Sequence, residues 1–165
     1  MLKVLTRVFF DPALQKKKGF LRSLLLFKDL KDQELGVLAH ALHSRTYHMG
    51  ETLFMEGDIG RALFILESGK VDLSRRDGSG KERRIYPVEP GGFFGEMALL
   101  EQLPRTASAI AAERSHVYLL YRSKLDALLH DHPRIGASIM RHLAELLSAR
   151  LRQSDAAVSG SLERA

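Results

Sequence analysis

The chain has 165 residues, 45% hydrophobic and 27% charged, a balance that closes one globular core and excludes wholesale disorder. It contains no cysteine, which excludes disulfides, thiolate zinc sites, iron–sulfur clusters and cysteine nucleophiles, and agrees with a reducing compartment. The net charge of +5 gathers at the amino terminus, where residues 1–31 hold eight basic residues against Asp11 and Asp29, a net +6.

No hydrophobic run approaches a membrane span, and MLKVLTRVFFDPALQKKKGF is too interrupted for a secretory signal, so a cytoplasmic location is expected. Residues 1–19 read as a basic amphipathic arm, with Val4, Leu5, Val8, Phe9 and Phe10 beside its lysines and Arg7. Its expected role is to dock its apolar side on its own domain. Contact of residues 1–20 with an anionic membrane surface, nucleic acid or an acidic partner is the competing reading.

Between Phe20 and His43, Leu21, Leu24, Leu25, Leu35, Leu38, Ala39 and Leu42 recur at helical spacing. They predict a short helix, a turn near Lys28–Lys31 and a second helix of about three turns starting near Asp32. His40 and His43 fall at i, i+3 on that helix; without a third ligand they read as a surface pair rather than a metal site.

From Arg45 onward the texture changes. ETLFME, RALFILES, KVDLSRR and ERRIYPV are rich in branched and aromatic residues and are punctuated by glycines. Val71–Ser74 alternate as a half-buried strand does, and DGSG at 77–80 is a hairpin turn. Two further strands are expected at Thr106–Ala112 and His116–Tyr121. Many short strands with regular turns indicate an antiparallel sandwich or roll.

The last region is helical. Ser123–His130 forms one segment, and Pro133 suits the first turn of a longer helix reaching about Arg152. On it Ile135, Ile139, Leu143, Leu147 and Leu151 repeat every four residues. His130-Asp131-His132 has a metal-enzyme spacing but lies at a helix end. Residues 153–165, small and polar, read as disordered.

The stretch GGFFGEMALLEQLPRTASAIA, Gly91–Ala111, places Glu96 and Arg105 in apolar surroundings, where a charge is costly without a partner. Glu96-Met97-Ala98-Leu99-Leu100 makes one helical turn before Pro104 stops it, and its first N–H groups lack intrahelical acceptors. The Arg105 guanidinium can grip two oxygens of a phosphate, and an ionised Glu96 can only accept, which suits the vicinal hydroxyls of a sugar. Together they make a site for a phosphorylated sugar with one negative charge. The competing structural reading is an internal Glu96–Arg105 ion pair without a ligand. No G-x-S-x-G and no G-x-x-x-x-G-K-[ST] occurs, and no catalytic constellation is found, so no enzyme activity is expected.

Phe94-Gly95-Glu96-Met97-Ala98-Leu99 followed by Pro104-Arg105-Thr106-Ala107 resembles the phosphate-binding cassette of cyclic nucleotide-binding domains, found in protein kinase regulatory subunits, gated channels and bacterial catabolite-activator-type regulators. The resemblance covers residues 20–152. It implies an α+β, mainly β fold: an eight-stranded antiparallel jelly roll (a double-stranded β-helix) with N-terminal helices, the glycine pattern Gly50, Gly57, Gly69, and two C-terminal helices. It implies that Glu96 binds the ribose 2′-hydroxyl and Arg105 the cyclic phosphate. Gly95, Met97 and Ala98 would give backbone contacts, with Phe94 and Leu99 beside them. Thr106 leaves cAMP and cGMP both open, with the balance toward cAMP, and no metal is implied.

In the family the cassette tightens around the phosphate and moves a hinge helix and a lid helix. Leu99 would face Leu125, Leu128 and Leu129; Ile139, His142, Leu146 and Arg150 are the candidates for a lid over the base. The signal would pass to a protein partner or a homodimer mate through the C-terminal helix. Family regulators continue into a helix-turn-helix; this sequence has no DNA-binding domain after the lid and is read as a stand-alone module. A ligand-free domain of the same fold, a fragment of a larger regulated protein and a metal-dependent roll enzyme are the alternatives.

Overall fold

The computed structural model describes residues 11–162 apart from Gln102, with Ala98 and residues 154–162 described by their backbone only. The apolar residues expected in the amino-terminal arm, Val4 to Phe10, lie outside the described residues.

Helix α1 spans Pro12–Ser23. Asp11 caps it by accepting the Ala13 N–H at 2.9 Å, and Pro12 at the first helical position lacks only a donor that no turn would use. The helix therefore starts eight residues before the expected Phe20, and residues 12–19 are continuous with the domain rather than a separate arm. Lys18, in the middle of its basic run, is buried and donates to Asp32 Oδ2 at 2.5 Å, while Arg22 reaches Asp32 Oδ1 at 2.5 Å. Lys17 donates to the carbonyls of Ala39 (2.5 Å) and Leu42 (2.8 Å), capping the end of α2 (Asp32–Ala41), and lies 4.9 Å from the Tyr118 ring centroid. A 3-10 turn at Leu25–Phe27 joins the two helices. The Glu34 carboxylate accepts the Lys31 N–H at 2.7 Å, which fixes the start of α2. The chain leaves α2 at Leu42, so His40 ends a helix while His43 begins a strand; the two do not share a helical face.

Eight strands follow: β1 His43–Tyr47, β2 Thr52–Phe54, β3 Ala62–Ser68, β4 Val71–Arg76, β5 Glu82–Val88, β6 Phe93–Phe94, β7 Ser108–Ala111 and β8 Ser115–Tyr121. They form two antiparallel four-stranded sheets in the orders β1-β8-β3-β6 and β2-β7-β4-β5, the expected roll. Tyr47, Phe64, Leu66, Val71, Leu73, Phe94, Val117 and Leu119 fill the space between the sheets. The first sheet is also covered on its outer face, where Leu63, Ile65, Tyr118 and Leu120 meet the helices. That double coverage explains why ALFIL, Ala62–Leu66, is buried throughout and shows no alternation.

After β6 comes the short helix α3, Glu96–Leu100; after β8 come α4, Arg122–Asp131, and α5, Pro133–Leu162. Ile135, Ile139 and Leu143 of α5 join Leu35 and Leu38 of α2 in the helical core. Each such buried leucine or isoleucine contributes roughly 1.5–3 kcal/mol. α5 runs ten residues past the expected end at Arg152, so residues 153–162 are helical rather than disordered. A helix already nucleated by packing extends at one hydrogen bond per residue, without repeating the cost of nucleation. Among the described residues no helix is long and apolar enough to cross a membrane.

Asp32 holds α1 against α2, and its hydrogen bonds with Lys18 and Arg22 push its carboxyl below the ordinary value of 3.8. A depressed acid stabilises the fold above its unfolded pKa and loses that contribution as the pH falls through the folded value. Thermal melts of Asp32→Asn should therefore show a lower midpoint than the parent at pH 7, and the two midpoints should converge as the pH falls below the ordinary carboxylate range.

Candidate functional site: an arginine pocket at the β6–α3 turn

A cavity of about 420 Å³ opens between the end of the second sheet, the α3 turn and the far half of α5. Its floor is built around Arg105. Arg105 follows the bridge between Pro104 and Ile59, and its backbone is clamped by the Gly57–Asp58 turn: Arg105 N donates to Asp58 O at 2.8 Å and Gly57 N donates to Arg105 O at 2.9 Å. The side chain is 7% exposed. Its Nη1 donates to Gly95 O at 2.9 Å and its Nη2 to Ala62 O at 2.8 Å, leaving three of the five N–H groups of a guanidinium without a hydrogen bond among the described residues.

Below the guanidinium lies an aromatic cluster. The carbon of the guanidinium sits 4.1 Å from the Phe54 ring centroid and 5.4 Å from that of Phe64, and Phe64 stacks on Phe94 at 5.3 Å. Among the described residues no carboxylate oxygen lies within 4.0 Å of Arg105. Burial lowers its proton affinity; the more distant charges of Asp58 and Glu96 oppose that, and an arginine stays charged regardless. The site thus holds a desolvated cation whose partners are neutral.

Gly95 makes this possible. Its φ of 77° caps α3 in the left-handed region, and a Cβ there would collide with Arg105 Nη1. Glu96, the first residue of α3, is 7% exposed, yet it does not pair with Arg105. Its Oε1 accepts from Arg150 Nη1 of α5, whose Nη2 also reaches Phe93 O at 3.4 Å and whose guanidinium lies 5.2 Å from the Phe93 ring centroid. The internal Glu96–Arg105 pair weighed from the sequence is therefore not formed.

Phe94, Gly95, Glu96, Met97, Arg105, Thr106 and Arg150 all line the cavity, so most of the residues singled out in the sequence come together. Ala98 lies within α3. Leu99 lies behind the cavity wall, buried in the same apolar cluster as Leu125 and Leu128, while Leu129 stays partly exposed over Gly136. Of the four lid candidates Arg150 alone is at the cavity. Ile139 is buried in the helical core, His142 is buried with Nδ1 2.9 Å from Ser138 O and Nε2 3.4 Å from Asp29 Oδ2, and Leu146 packs against that core. The four share one helical stripe, so the difference is axial: the first turns of α5 cover α2, and the stripe reaches the cassette some three turns later.

Sequence reasoning missed the second wall. Leu73 and Arg75 of β4, Ile85 and Tyr86 of β5 and Phe54 of β2 face the same cavity. Leu73 and Arg75 are two residues apart on one strand face, a period-2 signal that the basic run Arg75-Arg76 hides. Among the described residues no group of three His, Asp or Glu side chains is arranged to hold a metal.

Residues 44–132 match the Cyclic nucleotide-binding domain family. The chain belongs to that family. It is 38% identical over 130 residues to the Cyclic AMP receptor protein of Thermus thermophilus, covering 79% of this chain and 58% of that one. It is 36% identical over 126 residues to a cAMP-dependent protein kinase regulatory subunit of Aspergillus niger, covering 74% of this chain and 30% of that one. Among solved structures, a cyclic nucleotide-binding domain from Methylobacillus flagellatus superposes with a TM-score of 0.77 at 26% identity, covering 87% of this chain and 80% of that chain. The chain spans little more than half, and less than a third, of the two relatives' lengths.

Gly95→Ala tests the geometry directly. A left-handed alanine costs about 1 kcal/mol, and the added methyl must displace the Arg105 side chain from Gly95 O. Denaturant unfolding should show a loss of at least that size, and the Arg105 side-chain NMR signals should move.

Proposed function

We propose that this protein is a non-catalytic cyclic nucleotide sensor. Arg105 takes the cyclic phosphate, the first amides of α3 assist it, and Glu96 accepts the ribose 2′-hydroxyl. The observation that carries this is the buried Arg105 charge, preorganised by two carbonyls over an aromatic floor with no carboxylate against it. Such a cation is unfavourable in isolation and gains its partner when a monoanionic ring ester enters. Glu96 supports the sugar end, because Arg150 engages Oε1 and leaves Oε2 for a hydroxyl donor.

Binding is transmitted through α3. Leu99 shares its apolar cluster with Leu125 and Leu128 of α4, and Arg150 ties α5 to Glu96, so a shift of α3 acts on both helices. The equilibrium moves by the difference in ligand affinity between the two arrangements and by no more. The signal leaves through α5, to a protein partner or to a second copy of this chain. The names of the relatives agree with a regulatory module.

One observation favours a second reading, a ligand-free interaction domain: the Arg150–Glu96 pair already satisfies one end of the site. Calorimetry separates the two. Parallel titrations with cAMP and cGMP should give saturable heat with at least one, and Arg105→Ala should weaken it by at least about a hundredfold, the loss of a charge-assisted fork. Absence of heat with both nucleotides in a folded parent protein would establish the ligand-free reading.

A further inference from the structure

The position of Arg75 bears on which nucleotide the pocket prefers. Arg75 stands on β4 next to β7, whose pairing sets Ser74 opposite Ser108. Its Nε donates to Thr106 O at 2.8 Å, so the guanidinium is pinned by its inner nitrogen beside the residue that follows Arg105. Among the described residues nothing accepts from its Nη1 or Nη2, and no carboxylate lies within 4.0 Å of it. What remains is the outer edge of the guanidinium: two parallel N–H groups, held at the wall of the cavity.

With the phosphate on Arg105 and the sugar on Glu96, the base falls in the remaining part of the cavity, between the β4–β5 wall and Arg150. The walls there are apolar, Leu73 and Ile85, with Tyr86 alongside. The charged side chains are Arg75 and Arg150, and both are donor-only. Among the described residues the single carboxylate in the cavity lining is Glu96, which is paired with Arg150 and, in the proposed function, holds the sugar. A purine edge that meets these two guanidinium groups must therefore present acceptors. Guanine offers two adjacent acceptors, O6 and N7, matched to a bidentate arginine edge; adenine offers N7 beside an N6 amino donor, which meets another donor.

We propose that Arg75 is a specificity-determining residue that reads O6 and N7 of a 6-oxopurine, so that the pocket prefers cGMP to cAMP. This rests on the cyclic-nucleotide reading of the site. Arg75 is exposed, so the discrimination lies at the low end for a bidentate arginine–purine contact, about five- to tenfold. The preference runs against the balance toward cAMP drawn from the cassette motif, because that motif contains no residue of β4.

The test is competition binding on the full chain with cGMP, cAMP and inosine 3′,5′-cyclic monophosphate, for the parent and Arg75→Ala. The inosine nucleotide keeps O6 and N7 but lacks the 2-amino group. The expected result is that cGMP and the inosine nucleotide both bind about five- to tenfold more tightly than cAMP, and that Arg75→Ala removes this gap, bringing the three nucleotides within about twofold of one another. Equal or tighter binding of cAMP by the parent overturns the inference and leaves the sensor reading intact. So does a gap that survives Arg75→Ala, or one that cGMP shows and the inosine nucleotide does not. Failure of all three nucleotides to bind a folded parent overturns the sensor reading, and this inference with it. Arg75 is on the surface and holds one carbonyl, and unchanged melting of Arg75→Ala confirms that the comparison is between folded proteins.

Discussion

The architecture around the pocket is organised by one buried guanidinium. Among the described residues Arg105 has left water without meeting an anion, and contacts from several parts of the chain keep it there. The Gly57–Asp58 turn fixes its backbone, the carbonyls of Ala62 and Gly95 fix its fork, and Phe54 and Phe64 carry its face. Neutral dipoles and ring faces compensate only part of the lost hydration. The start of β3 and the turn into α3 thus hold an incomplete electrostatic arrangement. Under the proposed function such a cation is the receptor for the phosphate, and the rest of the fold would carry its occupancy elsewhere.

Visibility comes from sharing. Glu96 belongs to the pocket and to the α5 contact at once, and Leu99, three residues on, belongs to the apolar cluster beneath α4. A single five-residue helix therefore touches the ligand space with its first residue and the two C-terminal helices through its side chains. In the proposed sensor, linkage would work in both directions: a partner that gripped α5 would alter the affinity of the pocket by the same factor as the ligand altered that grip. The Arg150–Glu96 contact also gives a carboxylate at 7% exposure a cationic partner other than Arg105.

The cassette was legible in the sequence because its chemistry is local. Gly95, Glu96, Pro104 and Arg105 lie within eleven residues of one another, and the glycine, the helical turn and the proline stop each have a direct backbone meaning. The hairpin at Asp77–Gly80 was legible for the same reason, and its Gly80 N–H does close back on Asp77 O. Three features were not. The start of α1 was hidden by Lys16-Lys17-Lys18, which looks like a solvated run until Asp32 and the end of α2 supply partners fourteen or more residues away. The pairing of Arg150 with Glu96 spans 54 residues and depends on where along α5 the packing against α2 ends. Arg75 enters the pocket through a strand register set by β7. In each case the deciding partner is distant in sequence, and periodicity says which face a side chain occupies without saying what stands opposite.

The length of α5 has a mechanical meaning. Its thirty residues make a rod of about 45 Å, seated at Ile139 and touched by the pocket at Arg150, some 16 Å along. Its far end at Leu162 is about 34 Å from that seat. Treated as a rigid lever with its fulcrum at Ile139, the helix roughly doubles any sideways displacement applied at Arg150 by the time it reaches Leu162. Under the proposed function, a sideways adjustment at the Arg150 contact would reach Leu162 magnified.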